Sequence, residues 1–379
     1  MTKRSTLMIT AMGACLAPTA AHAQIPDLVS AFDAGGRAMG MGGATNQTGS
    51  ETLSAYYNPA GLGYLNRNTV GLSFRNKPQS KTVVTGDIAP TGTQFLSSQS
   101  EPGPTGLGHA GIAIPLRNGR GGNNGVIAVS LTAGGQLRDE RTAGSGLTEN
   151  GLGAANYRQL IKSDTEFINV SYGRATGDGS FSWGLGLVYA INRQINQKSA
   201  PSGVTDFDAQ ATGIGGQVGV VFTPKDNPDL SVSASYRTPI KLKSGGASPL
   251  IFEEVPGRLA AGVAIRRNGF RGARDYMVLG VDVTHFFDGK DATVIDRDPQ
   301  TVFGLGVEYN YSMGTARIPV RLGYNAVPAG GRDFGRRNAF TFGLGYRPNK
   351  ADWGVDLNWA KVNGGGNDFG ISLSYKFGN

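Results

Sequence analysis

The chain has 379 residues, of which 59 are glycine, with 39% hydrophobic and 17% charged residues and a formal charge of +8. So little charge excludes an ordinary disordered chain, and so much glycine excludes a helical bundle. Outside the leader no apolar run approaches the ~18 residues of a membrane helix, so a helical membrane protein is excluded as well.

Lys3 and Arg4 give a basic start, Leu7–Leu16 is a short apolar run free of acid, and Ala21-His22-Ala23 has the small-x-small form read by signal peptidase. Residues 1–23 are therefore expected to be a signal peptide for Sec export, cut before Gln24. The rival is a lipoprotein cut before Cys15, to which Met12 is poorly suited. Cys15 is the sole cysteine, so the mature chain needs neither disulfide nor thiol chemistry, and a thiolate enzyme is excluded. Loss of Lys3 and Arg4 takes the charge from +8 to +6.

Residues 24–68 do not alternate as a transmembrane strand does. They carry Gly35-Gly36-Arg37-Ala38-Met39-Gly40-Met41-Gly42-Gly43-Ala44 and then Tyr56-Tyr57-Asn58-Pro59-Ala60-Gly61-Leu62. Ser50–Tyr57 suits a short helix. Asn58-Pro59 suits a helix start, because asparagine caps free N–H groups and proline presets φ. The natural place for this stretch is inside a barrel, as a hatch or plug.

From Thr69 onward the period is two. Phe369, Ile371, Leu373, Tyr375 and Phe377 alternate with Gly370, Ser372, Ser374 and Lys376, and Trp353, Val355, Leu357 and Trp359 alternate with Gly354, Asp356 and Asn358. Such alternation makes a strand with one wet and one greasy face. Fourteen segments read this way: 69–76, 107–116, 125–138, 164–175, 180–194, 209–223, 230–243, 257–267, 276–288, 300–312, 316–326, 338–347, 353–361 and 368–377. Most match the ~9–11 residues a tilted strand needs to cross a bilayer. Long and short links alternate between them, as in outer-membrane barrels with long outer loops and short periplasmic turns. An even count leaves both ends in the periplasm. Aromatics near strand ends, among them Tyr311, Tyr346, Trp353 and Tyr375, suit interface girdles. The expected fold is an all-β, 14-stranded antiparallel transmembrane barrel over residues 69–379, with an N-terminal hatch over 24–68 in its lumen.

The block Ala34–Leu62, and Asn58-Pro59-Ala60 most specifically, resembles the FadL/TodX-type outer-membrane transporters for hydrophobic compounds and their PorV/PorQ-like relatives. Pro256–Ala264 and Pro319–Tyr324 are similar to the family as well. The resemblance implies a barrel in the Gram-negative outer membrane that takes up hydrophobic small molecules such as long-chain fatty acids. Capture would be at the outer loops and release sideways through a gap in the wall. The alternative it implies is a non-transporting barrel that scaffolds secretion or surface attachment, with a secretion-system protein as partner. A soluble secreted sandwich is the third reading. Two features depart from the pattern: the chain ends Phe377-Gly378-Asn379 rather than on the aromatic, and 107–116, with His109, Gly111 and Pro115, makes a poor lipid-facing strand. The latter is either an irregular strand or a wall defect.

Asn58, Pro59, Ala60 and Gly61 form the hatch motif. Arg75, Arg237, Arg266 and Arg321 are inward-facing candidates to hold a carboxylate or to pair with the plug, beside Arg347, Lys376, Asp282, Glu308 and Asp356. Phe95, Leu96, Leu147, Leu152, Tyr157 and Leu160 are candidates for an outer greasy groove within 77–106 and 139–163. No catalytic, cofactor or metal site is expected: His22, His109 and His285 lack metal spacing, and Gly184-x-Gly186 and Gly304-x-Gly306 lie inside strands rather than before helices. Asp164, Asp206 and Asp208 lack an EF-hand pattern, and no basic run with interleaved aromatics points to nucleic acid.

Overall fold

The computed structural model describes residues 34–45, 51–76, 81–88, 93–100, 105–117, 123–143, 157–200, 203–246, 250–269, 272–290, 297–330, 336–363 and 367–378. The expected signal peptide, residues 1–23, lies outside the described residues. The period-two stretches become strands and the glycine-rich block before them becomes short turns. In chain order these are α1 (Gly36–Gly40), α2 (Ser54–Tyr57), a 3-10 turn (Pro59–Tyr64), β1 (Asn68–Asn76), β2 (Lys81–Ile88), β3 (Thr93–Ser100), β4 (Thr105–Arg117), β5 (Asn123–Ala143) and β6 (Tyr157–Ala175). Next come β7 (Phe181–Ala200), β8 (Gly203–Phe222), β9 (Leu230–Arg237), β10 (Ile240–Lys241), β11 (Lys243–Ser244), β12 (Glu254–Val255) and β13 (Arg258–Asn268). The chain ends with β14 (Tyr276–Phe286), β15 (Gln300–Met313), β16 (Ala316–Val327), β17 (Arg337–Pro348), β18 (Trp353–Val362) and β19 (Asn367–Phe377).

Fourteen of these strands, β1, β4 to β9 and β13 to β19, pair antiparallel in sequence order. The ring closes through β1 and β19, from Asn68↔Phe377 to Asn76↔Phe369. Closure leaves the fourteen-strand ring without an edge strand, as a sheet in hydrocarbon requires. Polarity is inverted relative to a soluble protein. Leu187, Leu322 and Leu357 are 62%, 61% and 55% exposed on the outer face, while Asn169, Asn192, Gln217, Ser233 and Asn358 are buried on the inner one. A water-soluble barrel has no reason to expose such a belt, so the belt decides for a lipid-facing wall. Rings of aromatics bound it. Tyr346 and Trp353 (centroids 5.8 Å apart) and Tyr172 and Trp183 (5.5 Å) lie at the rim of short turns, and Tyr324 and Phe340 (4.9 Å) lie towards the rim of loops. Both the start of β1 and the end of β19 reach the turn rim.

Three details differ from the sequence expectation. Residues 107–116 form an unbroken strand, so no wall gap opens there; its strain is absorbed by register shifts at Ser73/Phe74 and Pro115/Arg117. The stretches expected as outer loops are largely strand. β5 to β8 run 19 to 21 residues each, beyond the belt, and β2 and β3 form a hairpin whose second strand pairs with β5 from Leu96↔Thr142 to Gln99↔Asp139. Lastly, 230–243 is not one strand. The β8–β9 ladder ends at Gln217↔Arg237, and β8 regains a partner on that side only at Thr212↔Lys243. Pro239 lacks an N–H and cannot continue the ladder, so the chain turns inward at Thr238.

Replacing Leu185, 50% exposed in the middle of the belt, by Arg is expected to destabilise the barrel by about 2–4 kcal/mol in lipid. The measurement is urea refolding into liposomes. A loss below about 0.5 kcal/mol contradicts a lipid-facing position.

Candidate functional site

The luminal segment, residues 34–45 and 51–67, is held by polar side chains that line the wall. Ser73 Oγ donates to Ala34 O (2.9 Å), Thr341 Oγ1 to Gly40 O (3.0 Å), Asn325 Nδ2 to Gly42 O (3.0 Å), Ser171 Oγ to Ala55 O (3.0 Å), Ser235 Oγ to Tyr57 O (2.8 Å) and Ser182 Oγ to Ala60 O (2.7 Å). Gln217 Nε2 also donates to Ala55 O. The small polar residues of the inner face are thus the donors that the terminal carbonyls of such short helices and turns need once water is excluded. Gly42 sits at φ +62°, and a Cβ there would strike the backbones of Leu305 and Tyr324. The glycine run therefore lets backbone lie directly on the wall.

The Asn58–Gly61 motif has a local purpose. Asn58 Oδ1 accepts from Ala60 N (3.1 Å), with Pro59 at the first helical position, so the 3-10 turn is capped as expected. The motif rests on Gly173, Gly184 and Gly219, where any side chain would collide with Asn58, Pro59 or Ala60. All four motif residues are buried.

Arg37 carries the electrostatics of the glycine block. Its Nε and Nη2 meet Glu308 Oε2 and Oε1 at 2.7 and 3.1 Å. Glu308 also takes Arg321 Nε (2.6 Å). Arg321 Nη1 reaches Asp356 Oδ1 (2.7 Å), whose other oxygen takes Arg347 Nη2 (2.7 Å). The result is a chain of three arginines and two carboxylates joining α1 to β15, β16, β17 and β18. A separate set of polar contacts ties the luminal segment to β4 and β5: His109 meets Thr52 at Nε2 and Thr132 at Nδ1, both at 3.0 Å.

The four candidate arginines separate by environment. Arg75 is buried on Asp368, and Arg321 belongs to the network above. Arg266 lies exposed at the turn rim and bonds Asn268 (3.0 Å). Arg237 is fully buried, donates through Nη2 to Pro256 O (3.0 Å), and lies 5.1 Å over the Phe167 ring. Its cross-strand partner is Arg258, which bonds Tyr56 O (2.9 Å) and Tyr57 O (3.1 Å) and lies 5.0 Å over Tyr56. Arg237 Nε and Nη1 and Arg258 Nε are buried without a hydrogen-bond partner. Neither arginine pairs with a carboxylate among the described residues. Arg258 was missed in the sequence because the alternation of 257–267 marks it only as inward-facing; its match across the barrel to Arg237 needs the register.

Around this pair lies the apolar cluster of Tyr56, Phe167, Val188, Ala190, Ile240, Leu242 and Val255. The inward chain after β9 completes it: Ile240 sits against the inner side of Gly213 and Gly215, and Gln194 holds Ile251 N and Phe252 N (2.8 and 3.0 Å). Across the wall, an apolar groove of about 560 Å³ runs past Leu185, Leu187, Gly216, Val218, Tyr236 and Thr238. Of the proposed outer-groove residues, Phe95 and Leu96 fall on β3 and Tyr157 begins β6, while Leu147 and Leu152 lie outside the described residues. Leu160 is in β6 rather than a loop and is 8% exposed, so it offers little surface to a ligand.

No family model and no curated protein sequence matches the chain. Solved structures do. A FadL homologue of Pseudomonas aeruginosa aligns at TM-score 0.59 and 14% identity over 95% of this chain and 100% of that one. The Ralstonia pickettii toluene transporter TbuX aligns at 0.52 and 16% over 91% and 98%, and a TodX monoaromatic hydrocarbon channel variant at 0.56 and 13% over 92% and 98%. The molecule is a transmembrane β-barrel with the fold of the FadL/TodX-type channels.

Glu308→Gln leaves Arg37 and Arg321 facing a neutral amide, and is expected to destabilise the protein by about 3–5 kcal/mol, the usual effect of halving a buried ion pair. The denaturant midpoint in detergent reads this out, and an unchanged midpoint refutes the anchoring role of the network.

Proposed function

We propose that the chain is a passive outer-membrane channel for hydrophobic compounds that takes amphiphiles with a carboxylate head, such as long-chain fatty acids, and releases them sideways. The observation that carries the reading is the Arg237–Arg258 pair. Two like charges lie side by side, buried, with three guanidinium nitrogens lacking an acceptor. Burying a guanidinium without a counter-charge costs several kcal/mol, and a carboxylate placed between them supplies both charge and acceptors. The apolar cluster beside the pair suits the hydrocarbon tail.

The break after β9 supplies the exit in this reading. Between Thr212 and Gln217 the wall is joined to the inward chain by Thr238 N to Gly216 O (2.9 Å) and Gly216 N to Thr238 Oγ1 (3.0 Å). Apolar surface lies on both sides of it, Ile240 within and Leu187 and Tyr236 without. A tail passing there would stay out of water throughout, and only a short ladder gap would need to widen. The luminal segment acts as the hatch, and the strand extensions carrying Phe95, Leu96 and Tyr157 as the capture region. TbuX and TodX are described as toluene and monoaromatic hydrocarbon channels, a substrate class that fits the cluster without needing the arginines.

The binding test compares oleate with methyl oleate on the purified protein. Arg237→Gln with Arg258→Gln is expected to weaken oleate at least tenfold and leave the ester unchanged; equal losses for both ligands contradict the head-group role. For the exit, Gly215→Cys with Ile240→Cys, at a position where a new Cβ meets only the Ile240 and Thr238 side chains, is designed to place a disulfide across the break in a mature chain free of other cysteine. Oxidised cells are expected to lose most oleate uptake and regain it with reductant, and uptake that survives oxidation rules out this exit.

A further inference from the structure

A chamber lies on the other side of the luminal segment from the Arg237–Arg258 pair. It is a cavity of about 820 Å³ between the underside of that segment (Arg37, Glu51, Thr52) and the turn rim (Arg67, Pro228, Asp352). This volume suits a small organic ligand. Its acids are already engaged. Glu308 and Asp356 are held by the arginine network, Asp352 by Arg67 (2.5 and 3.1 Å) and Asp229 by Arg267 (3.2 Å). Glu51 accepts the Tyr57 hydroxyl (3.2 Å), and burial pushes its carboxyl above the ordinary range. Asp275, next to Tyr276, takes Tyr309 Oη (2.7 Å) and Ser312 N (2.8 Å).

What remains is cationic. Arg266 on β13 and Arg317 on β16 both turn their guanidinium groups onto the Tyr276 ring, at 4.1 and 5.3 Å from its centroid. Both are exposed to the chamber. Arg266 uses Nε on Asn268, which leaves its two terminal nitrogens, and the Arg317 guanidinium makes no hydrogen bond or ion pair among the described residues. Lys376 lines the same chamber within electrostatic reach of Asp352. Stacking on one ring holds two flexible side chains at fixed positions without consuming their donors.

We infer that this turn-rim chamber is an anion-binding site, in which Arg266 and Arg317, braced on Tyr276, clamp the carboxylate or phosphate of a small soluble solute. The site is separated from the upper arginine pair by the luminal segment and makes no use of it, so its failure would leave the channel reading standing, and the reverse holds too. Its location at the rim of short turns gives the ligand an aqueous route on the side of the chain ends.

The test uses the full exported protein in a non-ionic detergent, titrated calorimetrically with inorganic phosphate and with citrate at low salt. Saturable binding of at least one probe is expected, weakened tenfold or more by Arg317→Gln and by Arg266→Gln and unchanged by Lys225→Gln, which removes one charge from the same rim outside the chamber. Heat-modifiable gel migration identical to the parent establishes that each variant is a folded barrel. Absence of saturable binding by the parent for both probes, or an affinity unmoved in the folded Arg317→Gln protein, overturns the inference.

Discussion

Every backbone amide that faces hydrocarbon must find its partner inside the protein, and in this molecule that single demand organises the rest. It requires β1 to meet β19, and with fourteen strands paired antiparallel throughout, the ring puts its first and last strand ends on one rim. It also explains the inverted polarity. The outer face is free to be greasy because lipid asks for nothing else, and the inner face is small and polar because the luminal segment brings unpaired carbonyls that something must satisfy. Ser73, Ser171, Ser182, Ser235, Asn325 and Thr341 do so one by one.

Charge inside such a lumen has to be matched residue by residue. Most of it is: Arg37, Arg321 and Arg347 thread between Glu308 and Asp356, and Arg75 rests on Asp368. Where the matching stops, the molecule has capacity left over. Above the luminal segment two buried guanidiniums lie beside an apolar cluster. Below it two exposed ones lie on a tyrosine in a wet chamber. The two places differ in water content, and hence in the kind of molecule each can recruit: an amphiphile with its tail in grease, and a compact hydrophilic anion.

The strands were legible because a lipid-facing wall enforces period two with few exceptions. Trp353 to Trp359 and Phe369 to Phe377 could be placed on the outer face from the alternation alone, and the cap at Asn58-Pro59 followed from the chemistry of those two residues. The motif of the glycine block was visible, but its reason was not. Gly42 is glycine because of Leu305 and Tyr324, which lie far away in sequence and become neighbours only when the ring closes. The same holds for the arginines. Alternation sorted them inward, yet whether an inward arginine is neutralised depends on register between strands, which separates Arg321 from Arg237 and pairs the latter with Arg258. The outer loops were overestimated because strands β5 to β8 continue past the membrane with polar residues on both faces, where the greasy face no longer marks them. Pro239 signalled the break in the wall, but within a segment whose flanks alternate normally it reads as an edge residue.

The central claim is that apolar molecules cross the outer membrane through this barrel. Uptake of radiolabelled oleate and toluene by cells with the chain and by otherwise identical cells lacking it measures that directly. Faster entry of at least one compound in the cells that carry the barrel, saturable and independent of added energy source, is the predicted result. Identical entry of both compounds, with the protein present at normal levels in the outer membrane, would contradict the account.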